Sequence, residues 1–274
     1  MKINMIRSDK VYQEMLELPL EKREGCFRAR ILAPFATKYQ TQHIPLKAKY
    51  PGGFDALFLL GFMNQLPATL SEKDRPAIDA LSSDQLWQDC QETIKRSIGL
   101  FEQAGYDLEV EDYHFTILLG NPEKPMLQLN KGYSGDGGIP GYLMLSLLPN
   151  DYTLPRVQAA LAHECNHNVR FQFVKWNQQT TLADWVVSEG LAESFAAELY
   201  GKDLIGPWVT STSPEQLEEI KPIISSQLQL TGMAEMAPYL YGDEIAKIQG
   251  QIPVGMPYAA GYAYGYHLIQ AYLK

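Results

Sequence analysis

Val157 to Phe173 reads VQAALAHECNHNVRFQF, and its middle spells His163-Glu164-Cys165-Asn166-His167. Val157, Leu161, Cys165 and Val169 recur every fourth residue, which predicts a helix with one stripe laid against a core. Pro155 suits the turn that opens it, where a missing backbone donor costs nothing. The two histidines fall off the stripe. Four residues apart, they leave the same face of the helix, so both imidazoles can reach one ion while Glu164 handles a water on that ion. This H-E-x-x-H spacing is that of a zinc site.

A second motif follows, Glu189-Gly190-Leu191-Ala192-Glu193. The stretch Leu182 to Tyr200 carries Val187, Leu191, Phe195 and Leu199 at helical spacing, predicting a helix with those four on its apolar side and both glutamates on the other. One turn apart, Glu189 is a candidate third ligand. Glu193 is a candidate acceptor for the far ring nitrogen of a ligating histidine, a bond that fixes the tautomer, with Asp184 as its competitor. Zinc held by His163, His167 and Glu189 keeps a fourth position for water, as catalytic rather than structural sites do, and Glu164 is the candidate general base. Cys165 sits between the histidines but is rotated by about 200° from His163, which assigns it to the core rather than to the metal.

His163-Glu164-x-x-His167 followed by Glu189-x-x-x-Glu193 resembles the gluzincin metallopeptidases, in which the third ligand is a glutamate. More closely, the stretch from about Tyr113 onward resembles a bacterial family of predicted zinc-dependent proteases, domain of unknown function number 2268. That pattern is a glycine-rich segment (Gly132 to Gly141), the zinc helix, Glu-Gly-Leu-Ala-Glu, and paired Gly-Tyr steps at Gly261-Tyr262 and Gly265-Tyr266. The resemblance implies hydrolysis of peptide or protein substrates. It also implies that the strand before the zinc helix is an edge that binds peptide, with Tyr142, Leu143 and Met144 as substrate-binding residues, a fully paired strand being the alternative. Tyr262 is the family-implied donor to the oxyanion, with His267 a rival and plain core packing the alternative for each tyrosine. The same ligands would also serve a non-catalytic zinc- or peptide-binding module, or a zinc hydrolase acting on a non-peptide bond.

The chain has 274 residues, 46% hydrophobic and 20% charged, enough for one large domain or two small ones. A formal net charge of -9 argues against nucleic acid, whose phosphates demand a basic face. Apolar runs such as Leu57 to Met63 are far short of the roughly 20 residues a membrane crossing needs. With no basic start joined to a long apolar run, a cytoplasmic protein is expected. Three widely spaced cysteines, Cys26, Cys90 and Cys165, fit reduced thiols.

Residues 1–105 read mostly helical, with candidates at Val11 to Leu18, Lys22 to Ala33, Phe54 to Gln65 and Asp84 to Gln103. Pro34 should end or kink the second, and Ser82 or Ser83 should cap the last. Residues 106–274 read as a zincin-like metallopeptidase domain. Within it, Tyr113 to Leu119, Met126 to Asn130 and Tyr142 to Leu148 are expected strands, and Lys131 to Gly138 a flexible loop. Ser213-Pro214-Glu215-Gln216 has the form of a capping box, and Gly261 and Gly265 would allow a close helix approach. The expected class is α+β, mostly helical, with a small sheet whose edge strand precedes the zinc helix.

Overall fold

The computed structural model describes residues 1–274. Its class is α+β, and the chain divides into two compact units, Met1–Gln172 and Phe173–Lys274. The change of sequence character near residue 105 lies inside the first. No helix is long and apolar enough to cross a membrane.

In chain order the first unit comprises β1 (Lys2–Met5), α1 (Ser8–Glu17), α2 (Leu20–Phe27), α3 (Ala36–Thr41), α4 (Ala56–Leu60), α5 (Arg75–Leu81) and α6 (Asp84–Gln103). There follow β2 (Asp112–Leu119), α7 (Pro125–Leu129), β3 (Tyr133–Ile139), β4 (Tyr142–Leu147) and α8 (Val157–Phe173). Ser83 caps α6 by accepting from Leu86 N–H, and the Trp87, Cys90, Ile94 and Ile98 stripe is buried. Pro34 kinks its segment rather than ending it. A π-helical turn at Arg28–Leu32 and a 3-10 turn at Ala33–Phe35 carry the chain from α2 into α3, past a residue that has no N–H to give.

The sheet has the order β1-β2-β4-β3, in which β1, β2 and β4 are parallel and β3 runs antiparallel to β4. Both faces are covered, as parallel strands require, so β2 and β4 are apolar along nearly their whole length. Phe115 meets Trp87 of α6 edge-on across one face, and on the other the Tyr39 hydroxyl of α3 contacts Met144 Sδ at 3.9 Å.

Three expectations need correction. Met126 to Asn130 is not a strand: Pro125 takes the first position of α7, where its fixed φ favours a helical turn. Lys131 to Gly138 is not a flexible loop, because most of it is β3. Finally, β4 is not an edge. Its residues Tyr142 to Leu147 pair with His114 to Leu119 on one side and with β3 on the other, so the backbone groups of Tyr142, Leu143 and Met144 lie inside the sheet. The terminal strand on that side is β3, whose Gly137 and Ile139 are bonded to side chains of α8. β1 is the other departure, a strand in a region read as helical, recruited by four parallel pairs to β2.

The second unit is helical: α9 (Leu182–Tyr200), α10 (Pro207–Thr210), α11 (Pro214–Ser225), α12 (Met233–Tyr241), α13 (Asp243–Ile248) and α14 (Ala260–Tyr272). Capping boxes open α9 through Thr181 and Asp184, and α11 through Ser213 and Gln216. Leu182, Val186, Ile220, Ile224, Met236 and Leu240 share one core cluster. The glycines set the crossing of α9 and α14, since a Cβ on Gly190 would meet the Gly265 carbonyl oxygen at 2.2 Å and one on Gly265 would meet the Val186 oxygen at 2.2 Å. The apolar side expected for α9 is also revised. Val187, Leu191, Phe195 and Leu199 are half-buried, whereas Glu189, Gly190, Glu193 and Ser194 are buried. Small residues let neighbours come close on that face, and there the glutamates find their partners.

Candidate metal centre

α8 begins after the turn Leu154–Arg156, with Pro155 inside it as the sequence suggests. Val157, Leu161, Cys165 and Val169 are all buried, and so are His163, Glu164, His167 and Asn168 on the remaining faces. A helix buried all round must give each polar group a partner. Cys165 is a core residue, its thiol pushed up chiefly by burial, and none of the three cysteines is in a disulfide.

His163 and His167 turn their Nε2 atoms toward each other at 3.0 Å, with ring centroids 4.8 Å apart. The His167 ring lies parallel to Phe171, one turn on, at 5.6 Å and 4°, an apolar plate that limits its rotation. Glu164 is buried against β3: its Oε2 accepts the Gly137 N–H at 2.7 Å. A Cβ on Gly135 would lie 2.1 Å from Glu164 Oε1, and one on Gly137 would lie 2.3 Å from the Glu164 carbonyl oxygen. The glycines are therefore what allow a strand to run over this carboxylate, a role their alternate spacing in Gly135-Asp136-Gly137 suggests only once a strand is assumed.

Asn168, which the motif does not require, has a role the sequence does not reveal. Fully buried, its Nδ2 lies 2.9 Å from each of the carbonyls of Gly137, Ile139 and Tyr142, which share its two N–H groups, and its Oδ1 accepts the Gly141 N–H at 2.7 Å. These bonds hold the β3–β4 hairpin, with its register shift between Asp136 and Ile139, against α8. Asn168→Ala removes two N–H donors and one acceptor oxygen from these backbone groups, a net loss of about 1 kcal/mol for each of the three bonds. Urea unfolding is expected to register a loss of about 3 kcal/mol; a loss below 1 kcal/mol would remove Asn168 from this role.

On α9, Glu189 and Glu193 are both buried. Glu193 accepts the Gly206 N–H at 2.5 Å and the Trp208 indole N–H at 2.7 Å, while Asp184 is an exposed N-terminal cap whose Oδ2 accepts from Thr181 N–H and Oγ1. The competitor for the second-carboxylate role is thus engaged elsewhere. Burial, reinforced by the negative charge of Glu189, pushes the Tyr241 hydroxyl up to about 12, and a hydrogen bond with Tyr262 partly offsets the rise. The rings of Tyr241 and Tyr262 are 5.9 Å apart, which sets the half-buried Tyr262 in the neighbourhood of Glu189, whereas His267 is exposed.

One ligand atom from each of His163, His167 and Glu189 lies within 4.8 Å of the other two, and all three residues are buried. Donors held at about 2.0–2.2 Å by one tetrahedral ion stand roughly 3.3–3.5 Å apart. Two imidazoles and a carboxylate fit zinc in chemistry, and within 4.8 Å of one another they are close enough for one ion to draw them to that spacing.

Two curated relatives are similar to this chain, both from Bacillus subtilis (strain 168). The uncharacterized protein YjfC is 34% identical over 275 residues, covering 100% of this chain and 91% of its own length. The uncharacterized protein YjaZ is 28% identical over 134 residues, 47% of each chain. No solved structure matches. The family model described as "Predicted Zn-dependent protease (DUF2268)" matches residues 86–274, more than half of the chain and all of α8 and α9. With a buried His-His-Glu cluster at the heart of the matched region, this chain belongs to the DUF2268 family of predicted zinc-dependent proteases.

Proposed function

We propose that this protein is a zinc-dependent peptidase, and the observation that carries the proposal is the convergence of His163, His167 and Glu189 beside the buried carboxylate of Glu164. His163, His167 and Glu189 would hold the metal, and Glu193, braced by Gly206 and Trp208, is the carboxylate that would orient His163. Bound zinc supplies Lewis acidity, which polarises a carbonyl and lowers the pKa of a coordinated water toward about 7. Glu164 takes a proton from the attacking water and delivers it to the amide nitrogen as the C–N bond breaks, giving a carboxylic acid and an amine. Tyr262 donates its hydroxyl hydrogen bond to the oxygen on which negative charge develops.

The substrate lies as an added strand on β3, the terminal strand of the sheet, whose Gly137 N–H already reaches Glu164. Glu164 favours an enzyme over a binding module, since an inert metal site has no use for a base. The three unpaired cysteines support a reducing, cytoplasmic setting.

A panel of peptides and esters, incubated with the zinc-loaded protein before and after chelation, tests the reading. Peptide cleavage abolished by chelator and restored by added zinc is expected. Bound zinc without turnover of any substrate would favour a binding module, and turnover of esters alone would redirect the chemistry to another bond.

A further inference from the structure

The first unit holds a cavity of about 280 Å³ beneath the rim of β3, with Leu59, Leu60 and Met63 on one side and Tyr39, Leu118 and Met144 on the other. Ser134, Gly135 and Asp136 of β3 form its lip. Side chains alternate across a strand, and a Cβ on Gly135 would point at Glu164, so Ser134 and Asp136 face the opposite side, into the cavity. The Gly132 carbonyl accepts from Leu148 N–H, and the antiparallel alternation then turns the backbone groups of Ser134 and Asp136 toward β4 and those of Gly135 toward the outer edge. A peptide strand pairing there sets one residue opposite Gly135 with its side chain on the Glu164 face. The residues on either side of it project toward the cavity.

Three observations define the occupant. The walls are mostly apolar, with Asn64 and Ser146 the polar exceptions beside Ser134 and Asp136 at the lip. The carboxylate of Asp136 does not invite a cation, because Lys38, only 1% exposed, already meets it at 2.8 Å. Moreover, the volume falls just below the roughly 300–1,000 Å³ of pockets that enclose whole small-molecule ligands, which suits a single large side chain. The apolar surface also continues outward. Phe54, Phe58 and Phe62 form an exposed edge-to-face ladder with centroids 5.8 and 5.5 Å apart, and Phe62 reaches the cavity.

We propose that this cavity is a specificity pocket for one large apolar side chain, such as leucine or phenylalanine, of an extended peptide laid along β3. The inference rests on the peptidase reading for its orientation, and it gives the helices and loops of residues 39–64 the task of choosing substrate. Peptides differing at a single position (Gly, Ala, Leu or Phe) test it in two ways: cleavage by the zinc-loaded protein, and binding to zinc-loaded Glu164→Gln measured by fluorescence anisotropy. Leu and Phe should exceed Gly by tenfold or more at one position, the scale of hydrophobic side-chain discrimination. Met63→Trp and Leu59→Trp extend half-buried side chains into the cavity and should cut that preference below threefold in both measurements, with thermal melts verifying that each variant is folded. A preference unchanged in both folded variants, or absent from the parent, overturns the pocket; if peptides are nonetheless cleaved, the peptidase reading survives. Selective binding that the tryptophans abolish, without any cleavage, retains the pocket and overturns the peptidase. Neither binding nor cleavage of any peptide overturns both.

Discussion

Zinc-loaded Glu164→Gln is expected to cleave peptides about 10²–10⁴-fold more slowly than the parent, the usual contribution of a positioned general base, with its metal content unchanged. The substitution isolates basicity. Glutamine keeps the size of the side chain and retains an oxygen that can accept the Gly137 N–H now bound at 2.7 Å, so β3 has no reason to move. Glu164 is not among the three converging ligand residues, so zinc should stay bound. Single-turnover rates on a good peptide substrate, read beside zinc stoichiometry, separate the outcomes. Near-parental turnover with zinc retained would take the base role away from Glu164, and loss of zinc would mean that this carboxylate belongs to the ligand set.

The second large effect concerns affinity rather than rate. Removing an outer partner of a ligating histidine typically costs 10–100-fold in metal affinity or activity. Glu193→Gln should fall in that range if Glu193, already held by Gly206 and Trp208, acts through His163 as proposed. Glu189→Gln removes a ligand and its charge together, so its zinc affinity should drop by more than 100-fold. Competition with a chromophoric chelator measures both variants, and far-UV circular dichroism verifies that α9 remains folded. The order of the two effects is the informative part. If Glu193→Gln loses more affinity than Glu189→Gln, the two glutamates have exchanged roles.

The helices that carry the site were legible in the sequence. α8 spans Val157–Phe173 and α9 Leu182–Tyr200, the limits that apolar periodicity and turn chemistry suggest. α6 likewise matches its expected range, from the Ser83 cap onward. Local signals suffice for such elements because a helix satisfies its backbone within itself.

The sheet was harder to read, since a strand is defined by partners distant in sequence. Tyr133–Ile139 looks like a loop because its glycines are poor strand formers, yet they are required where the backbone passes over Glu164. Once β3 occupies one side of β4, β4 is no longer an edge, so one unrecognised strand accounts for the misplaced substrate edge. The face of α9 was misread for a related reason. Hydropathy places glutamates outside, whereas Glu193 lies buried with two donors and Gly190 buried against Gly265. Asn168 stands out in the sequence only as a polar neighbour of His167, since a residue that clamps a hairpin through four backbone groups resembles any other polar residue on a helix.

X-ray diffraction from crystals of the zinc-loaded protein, with anomalous data collected on both sides of the zinc absorption edge, bears most directly on the central claim. The account predicts one peak per chain, with His163 Nε2, His167 Nε2 and a Glu189 carboxylate oxygen at about 2.0–2.2 Å. A peak bound elsewhere, or one bound by the two histidines with Glu189 turned away, would contradict it.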